Sequence, residues 1–235
     1  MITYHDEDLR KYLENDWILK ILEESMTDDE RSIRTNKWLY EMDNKRMIYA
    51  DVYGDILREK ISDNLRVLDV GGGVTALTKH LAKNSRYTLL DFLAHGGKEY
   101  LASFSDQYRI SWIDGDWYDI DIDKQDIVIA NDIFPDVDMR MELFIDKMLP
   151  VCSELRLVIT YYNSPRFYQM GRSDDPEVLT FLSWDGEITA LKLRKYIDRM
   201  IDTTEKELTS ISSETQSIYH NGRQVSYIRL RGDNA

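Results

Sequence analysis

At residue 65 the chain changes period, from the three-to-four spacing of helices to a short apolar strand that ends on three glycines. Leu65-Arg66-Val67-Leu68-Asp69-Val70 reads as a strand, and Gly71-Gly72-Gly73-Val74-Thr75-Ala76 leads into a helical stretch from about Thr75 to Lys83. Glycine there lets the backbone approach a ligand closely, and the helix N-terminus that follows offers unpaired N–H groups. Tyr87-Thr88-Leu89-Leu90-Asp91 is a second strand, closed by a carboxylate 22 residues beyond Asp69. A carboxylate in that place can accept both hydroxyls of a ribose, in the crevice above the strand ends.

The alternation continues. A helix around Lys98 to Phe104, a third strand from Tyr108 to Ile113, a fourth from Asp126 to Asn131, a helix from about Val137 to Met148 and a fifth strand from Leu155 to Tyr161 follow in turn. Strands alternating with helices imply parallel pairing and right-handed crossovers, hence a doubly wound sheet. Ahead of it, Leu9, Leu13, Trp17, Ile18, Ile21 and Leu22 form one helical stripe. Thr27-Asp28-Asp29-Glu30 fits a capping box opening a second helix through Trp38 and Met42, and a third carries Tyr49, Val52, Tyr53, Ile56 and Leu57. Residues 163–187 are polar and contain two prolines and two glycines, which suggests a long loop or insertion. A helix from about Ile188 to Met200 precedes a C-terminal hairpin, Thr215–His220 and Gln224–Leu230 around Asn221-Gly222, a pair suited to a turn needing positive φ. The expectation is an α/β fold: a doubly wound, mostly parallel seven-stranded sheet with a C-terminal antiparallel hairpin and N-terminal helices. Residues 1–60 would form a helical cap and 61–235 a Rossmann-like domain with an insertion at about 163–187.

Charge narrows the partners. A net charge of −13 without a run of Lys and Arg argues against nucleic acid, whose phosphates need clustered cations. No apolar run approaches the roughly 18 residues that span a bilayer, and the first residues have neither a basic start nor an apolar stretch, so no membrane partner and a cytoplasmic location are expected. The single cysteine, Cys152, excludes an internal disulfide framework. Four scattered histidines (His5, His80, His95, His220) give no ligand spacing, so no metal is expected.

The glycine loop can be read in two ways. As G-x-G-x-x-A, with Ala76 as the small third residue, it meets the loose dinucleotide fingerprint. Read from Asp69, Asp-Val-Gly-Gly-Gly resembles the first motif of class I S-adenosylmethionine-dependent methyltransferases, in which an acidic residue stands two before the first glycine. Asp69 favours the second reading: a carboxylate aimed into the loop repels a pyrophosphate but suits the cationic methionyl end of that cofactor. The resemblance covers roughly residues 60 to 230. It implies S-adenosylmethionine as cofactor, held by Asp69, Gly71, Gly72, Gly73 and Asp91. It also implies Phe92 packing on adenine, Asp116 and Trp117 near the adenine amino group and ring, and Asn131 lining the crevice. The family often has a third glycine where this chain has Thr75.

The acceptor side is less defined. A hydroxyl acceptor needs a base, for which Asp132, Tyr162 and His95 are candidates by their place after strands. Asn131-Asp132-Ile133-Phe134 has the spacing of the Asn-Pro-Pro-aromatic motif of amino-group methyltransferases but lacks both prolines. The aromatic run from Tyr161 to Tyr168, with Arg166 and Arg172 nearby, suits stacking on sugars or bases and pairing with phosphate, so Tyr161, Arg166 and Tyr168 are candidate substrate contacts. That stretch loosely resembles methyltransferases of bacterial surface-polysaccharide synthesis. The sequence points to methyl transfer to a small polar acceptor, such as a sugar or nucleotide-linked sugar. A non-catalytic interaction module and a protein methyltransferase stand as rivals, and monomer and homodimer are both left open.

Overall fold

The structure is a computed structural model that describes residues 1–58, 64–93, 97–171, 178–213, 216–219 and 221–234. A short strand, β1 (Ile2–Thr3), precedes five helices: α1 (Asp6–Leu13), α2 (Trp17–Ser25), α3 (Asp28–Arg31), α4 (Arg34–Glu41) and α5 (Asp43–Arg58). The alternating part runs β2 (Arg66–Val70), α6 (Ala76–Asn84), β3 (Arg86–Leu90), α7 (Lys98–Tyr108), β4 (Ser111–Ile113), β5 (Gln125–Phe134), α8 (Met141–Met148) and β6 (Cys152–Tyr162). It is followed by β7 (Arg166–Gly171), β8 (Val178–Ser183), α9 (Gly186–Arg194), α10 (Glu205–Ser210) and β9 (Arg223–Arg231).

Seven strands make one mostly parallel sheet in the order β4-β3-β2-β5-β6-β9-β1. β2 pairs in parallel with β3, and β3 with β4, whereas β9 is antiparallel to both of its neighbours. After β4 the chain returns to the far side of β2, so strand order reverses there; ligands of such sheets bind beyond the carboxyl ends at that reversal. Gly71–Gly73 follow β2 directly.

The chain divides into two compact units, Glu7–Ile129 and Met1–Asp6 with Ala130–Ala235. In the first, Val67, Leu68 and Leu89 on the strands and Ile18, Leu22, Val52 and Ile56 on the helices are almost wholly buried. In the second, Leu157, Ile159 and Ile228 of the β6–β9 pair and Phe144 and Ile145 of α8 form the core. Successive residues of these strands are buried alike, because both faces are covered.

Four expectations change. The first predicted helix is two, because Asp16 caps α2: its Oδ1 accepts from the Leu19 N–H at 3.0 Å and ends the α1 stripe. The capping box forms as expected, with Thr27 and Glu30 bonded reciprocally, but α3 is a single turn and α4 starts afresh at Arg34. The C-terminal hairpin does not form as drawn. Among residues 216–219 there is no strand; Ser217 Oγ donates to the Arg223 carbonyl, the Tyr219 N–H donates to Ser217 Oγ, and the Gly222 N–H donates to the Tyr219 carbonyl, so the backbone closes a compact turn. The free edge of β9 goes instead to β1, with Ile2 opposite Tyr227 and Thr3 opposite Ser226. Conversely, the polar insertion holds the hairpin that the sequence did not show, β7–β8, in register from Arg166 opposite Ser183 to Gly171 opposite Val178.

One buried ion pair ties the N-terminal helices together. Asp16 and Arg46 side chains are 10% and 7% exposed, with Arg46 Nε donating to Asp16 Oδ2 at 2.7 Å. Asp16 also accepts from the Tyr12 hydroxyl, and Arg46 donates to the carbonyls of Leu39 and Tyr40, where α4 ends. Removing one partner strands a buried charge, a loss of about 3–5 kcal/mol, and the cap goes with it. Asp16→Ala is therefore expected to lower the free energy of unfolding by about 3 kcal/mol or more in urea titration, and a change below about 1 kcal/mol would contradict this role.

Candidate functional site

Three glycines bend the chain off β2. Gly71 and Gly73 have φ of +67° and +64°, a region that side chains rarely enter. Gly72 is required for another reason: a Cβ there would stand 2.4 Å from Asp69 Oδ2. The loop thus lies directly on the Asp69 carboxyl, which is buried at 2% exposure. Below it, the Tyr87 hydroxyl donates to Oδ2 at 2.7 Å and the Tyr53 hydroxyl to Oδ1 at 3.2 Å.

The end of β3 is bound to the same loop. Asp91 Oδ2 accepts from the Gly73 N–H at 2.9 Å, and Oδ1 from the Leu93 N–H at 2.5 Å. The Asp91 carbonyl accepts from Trp112 Nε1 at 2.9 Å. Each carboxylate oxygen retains acceptor capacity after one bond, so a ribose diol can be received on a group already fixed in place. Phe92, the next residue, is 55% exposed. Asp116 Oδ1 accepts from the Tyr118 N–H at 2.8 Å, and Trp117 is 4% exposed, edge-on to Tyr118.

The helices ahead of the sheet hold this loop from outside, which the sequence reading did not anticipate. Asn36, wholly buried on α4, accepts the Ala76 N–H at 2.7 Å and donates to the Glu30 carbonyl at 2.9 Å. Thr35 Oγ1 donates to the Val74 carbonyl. Thr75, standing where a third glycine was the common choice, is the cap of α6: its Oγ1 accepts from Leu77 N–H, and its own N–H donates to Thr78 Oγ1. The first N–H groups of α6 are therefore bonded within the protein. A pyrophosphate, which relies on those donors, finds them taken and meets Asp69 beneath.

The second unit has its own polar cluster. Asn131 and Asp132 lie within β5, which runs three residues further than the sequence implied, to Phe134. Asp132 has φ of +63° and is ion-paired with Arg223, whose Nε lies 3.9 Å from Asp136 Oδ2. Tyr168 donates to Asp136 at 3.3 Å, and its hydroxyl is 3.4 Å from that of Tyr162. The Arg166 guanidinium stacks 4.1 Å from the Tyr162 ring centre and 5.6 Å from that of Tyr168. Burial raises the Asp136 carboxyl above its ordinary value, against the charge of Arg223. Tyr161 is 1% exposed and its hydroxyl meets Ser226, opposite in direction along the strand to its neighbour Tyr162. His95, like Arg172 and His220, lies outside the described residues. Asp136 and Arg223, which the sequence did not single out, are central members of the cluster; neither stands in a motif or a periodic run that marks it.

No protein-family model matches the chain, and no curated protein does. Solved structures do. The Burkholderia thailandensis 1,6-didemethyltoxoflavin-N1-methyltransferase, with 1,6-didemethyltoxoflavin and S-adenosylhomocysteine bound, aligns over 99% of this chain and 92% of its own at 12% identity and a TM-score of 0.50. The N-terminal domain of EvdMO1, with S-adenosylhomocysteine bound, aligns over 94% and 96% at 12% identity and the same TM-score. The chain has the Rossmann-like methyltransferase fold. Among the described residues no helix is long and apolar enough to cross a membrane, and no group of three His, Cys, Asp or Glu is placed to hold a metal.

Asp69 gives this arrangement a pH signature. Burial pushes its carboxyl up to about 7, against the two tyrosine hydroxyls that favour the ionised form. The folded value lies above the ordinary 3.8. Its contribution is then fully present below about pH 4 and is lost as pH rises through about 7, a swing of up to about 4 kcal/mol. Asp69→Asn, which cannot ionise, is expected to flatten the fall of the urea midpoint between pH 5 and 8 relative to the parent chain. Parallel slopes in the two proteins would show that Asp69 does not titrate there.

Proposed function

We propose that the chain transfers a methyl group from S-adenosylmethionine to a small polar acceptor, a sugar or nucleotide-linked sugar. The observation that carries this reading is the loop after β2: a carboxylate lies under it, a second carboxylate is bonded across it, and the helix donors beyond it are in use. Such a loop favours a cationic amino-acid end and a ribose over a pyrophosphate. The two structures of matching fold that hold S-adenosylhomocysteine support the same choice.

In this reading Asp69, Gly71, Gly72 and Gly73 shape the cradle for the methionyl end and Asp91 receives the ribose. Phe92, Asp116 and Trp117 flank the adenine, and Asn131 lines the crevice. The cofactor, when bound, supplies a methyl group on a sulfonium, already activated for displacement. The chain has then to hold the acceptor atom close and in line and to take up its proton. Asp132 is the proton acceptor in this assignment, with Arg223 fixing its carboxylate and Tyr162 at the end of the neighbouring strand β6. Arg166, backed by the faces of Tyr162 and Tyr168, is an exposed guanidinium that suits a phosphate or carboxylate on the acceptor.

Two measurements separate the halves of the proposal. Asp91→Ala is expected to weaken binding of S-adenosylhomocysteine by about 1–3 kcal/mol, roughly 5- to 150-fold in Kd by calorimetry, through the lost charge-assisted bonds. Unchanged affinity in a folded variant removes Asp91 from the site. Arg166→Ala is expected to leave that affinity alone and to raise the KM for an anionic acceptor about tenfold or more. An equal KM for charged and neutral acceptors in both proteins would remove Arg166 from acceptor binding.

A further inference from the structure

The opposite ends of the same strands carry a second feature, which the proposed methyl transfer does not use. Residues 66, 86 and 111 open β2, β3 and β4, while the glycine loop follows the last residue of β2, about 13 Å further along at ordinary strand rise. Around those opening residues lies a groove of about 920 Å³, lined among others by Arg66, Lys83, Arg86, Arg109, Lys124 and Tyr108, with Asp123 as the one carboxylate. Five cations collected in one groove stand against a chain whose net charge is −13.

Helix dipoles account for part of this. Lys83 is in the last turn of α6 and Arg109 caps α7, where a cation offsets about half a negative charge at each helix end. They do not account for the rest. Arg66 and Arg86 are directly paired across β2 and β3, an arrangement in which like charges repel. Asp126 relieves Arg66 only in part, from 3.7 Å. Arg86, Arg109 and Lys124 are exposed and have no ion-pair partner among the described residues. Lys83 lies 5.3 Å from the ring centre of half-buried Tyr108. An unrelieved cluster of this kind, set in a concave space of ligand size, has the form of an anion site.

We propose that this groove binds an oligophosphate, either free or as the phosphate chain of a nucleotide. Paired guanidinium forks match phosphate oxygens in geometry, and several cations within one groove call for a ligand with several adjacent negative charges. A long nucleic acid is disfavoured because the chain as a whole carries a net charge of −13. The site is independent of the glycine loop and of the methyl-transfer reading.

The test is calorimetry on the full chain with inorganic tripolyphosphate at about 100 mM salt, where long-range surface attraction is largely screened. One saturable site is expected, with affinity at least tenfold above that for inorganic phosphate, and about tenfold or more weaker in the Arg86→Ala, Lys124→Ala double variant. The double variant should unfold at the same temperature as the parent in buffer, because among the described residues neither side chain makes a hydrogen bond or an ion pair. Adenosine triphosphate binding no better than tripolyphosphate identifies the phosphate chain as what is read; tighter binding adds the nucleoside, with Tyr108 as its neighbour. Absence of saturable binding at millimolar tripolyphosphate, equal binding by the double variant, or a DNA duplex that binds more tightly than tripolyphosphate overturns the proposal.

Discussion

Asp69 stands one residue before the end of β2 with its carboxyl in the space beneath the glycine loop, and much of the first unit is arranged around that one group. Its oxygens take the hydroxyls of Tyr53 from α5 and Tyr87 from β3, so helix, strand and loop meet on a single buried acid. Nothing larger than a hydrogen fits on Gly72 above it. A buried carboxyl of this kind resists ionisation, and its neighbours are hydroxyl donors rather than cations. A positive group brought to the loop would change that balance, which ties the electrostatics of the loop to what it can bind.

The loop is also held from the other side. Asn36 spends its carbonyl on the first N–H of α6 and its amide on the carbonyl of Glu30, so a residue from the helical segment completes the cap that Thr75 begins. Helix N-termini are common anion sites because their donors are free. Here those donors are committed to partners within the protein, and the carboxyls of Asp69 and Asp91 are the acceptors that the loop lies against. The second unit repeats the use of paired acids with a guanidinium between them, in Asp132, Arg223 and Asp136, and places tyrosine faces beside it.

Much of the first unit was legible in the sequence because its signals are local. A short, mostly apolar strand, three glycines and a carboxylate at the end of the next strand can be recognised without knowing what packs on them. The capping box at Thr27 and Glu30 is of the same kind. What could not be read depends on contacts between distant residues. Asn36 lies 40 positions from the N–H that it accepts, and Arg223 lies 91 from Asp132. The missed edge strand has the same cause: two N-terminal residues compete for β9 with the adjacent segment, and the adjacent segment closes as a turn through Ser217. Hairpin β7–β8 was hidden because its stretch is rich in polar residues, and its alternation shows only in burial, with Phe167 75% exposed and Phe181 7%.

The central claim is that this loop is built for a cationic nucleoside and against a pyrophosphate. Titration of the chain with S-adenosylmethionine, alone and in the presence of a nicotinamide dinucleotide, tests it most directly. Saturable binding of S-adenosylmethionine at one site per chain is expected, with an affinity that the dinucleotide leaves unchanged. Competition by the dinucleotide, or no saturable binding of S-adenosylmethionine, would contradict it.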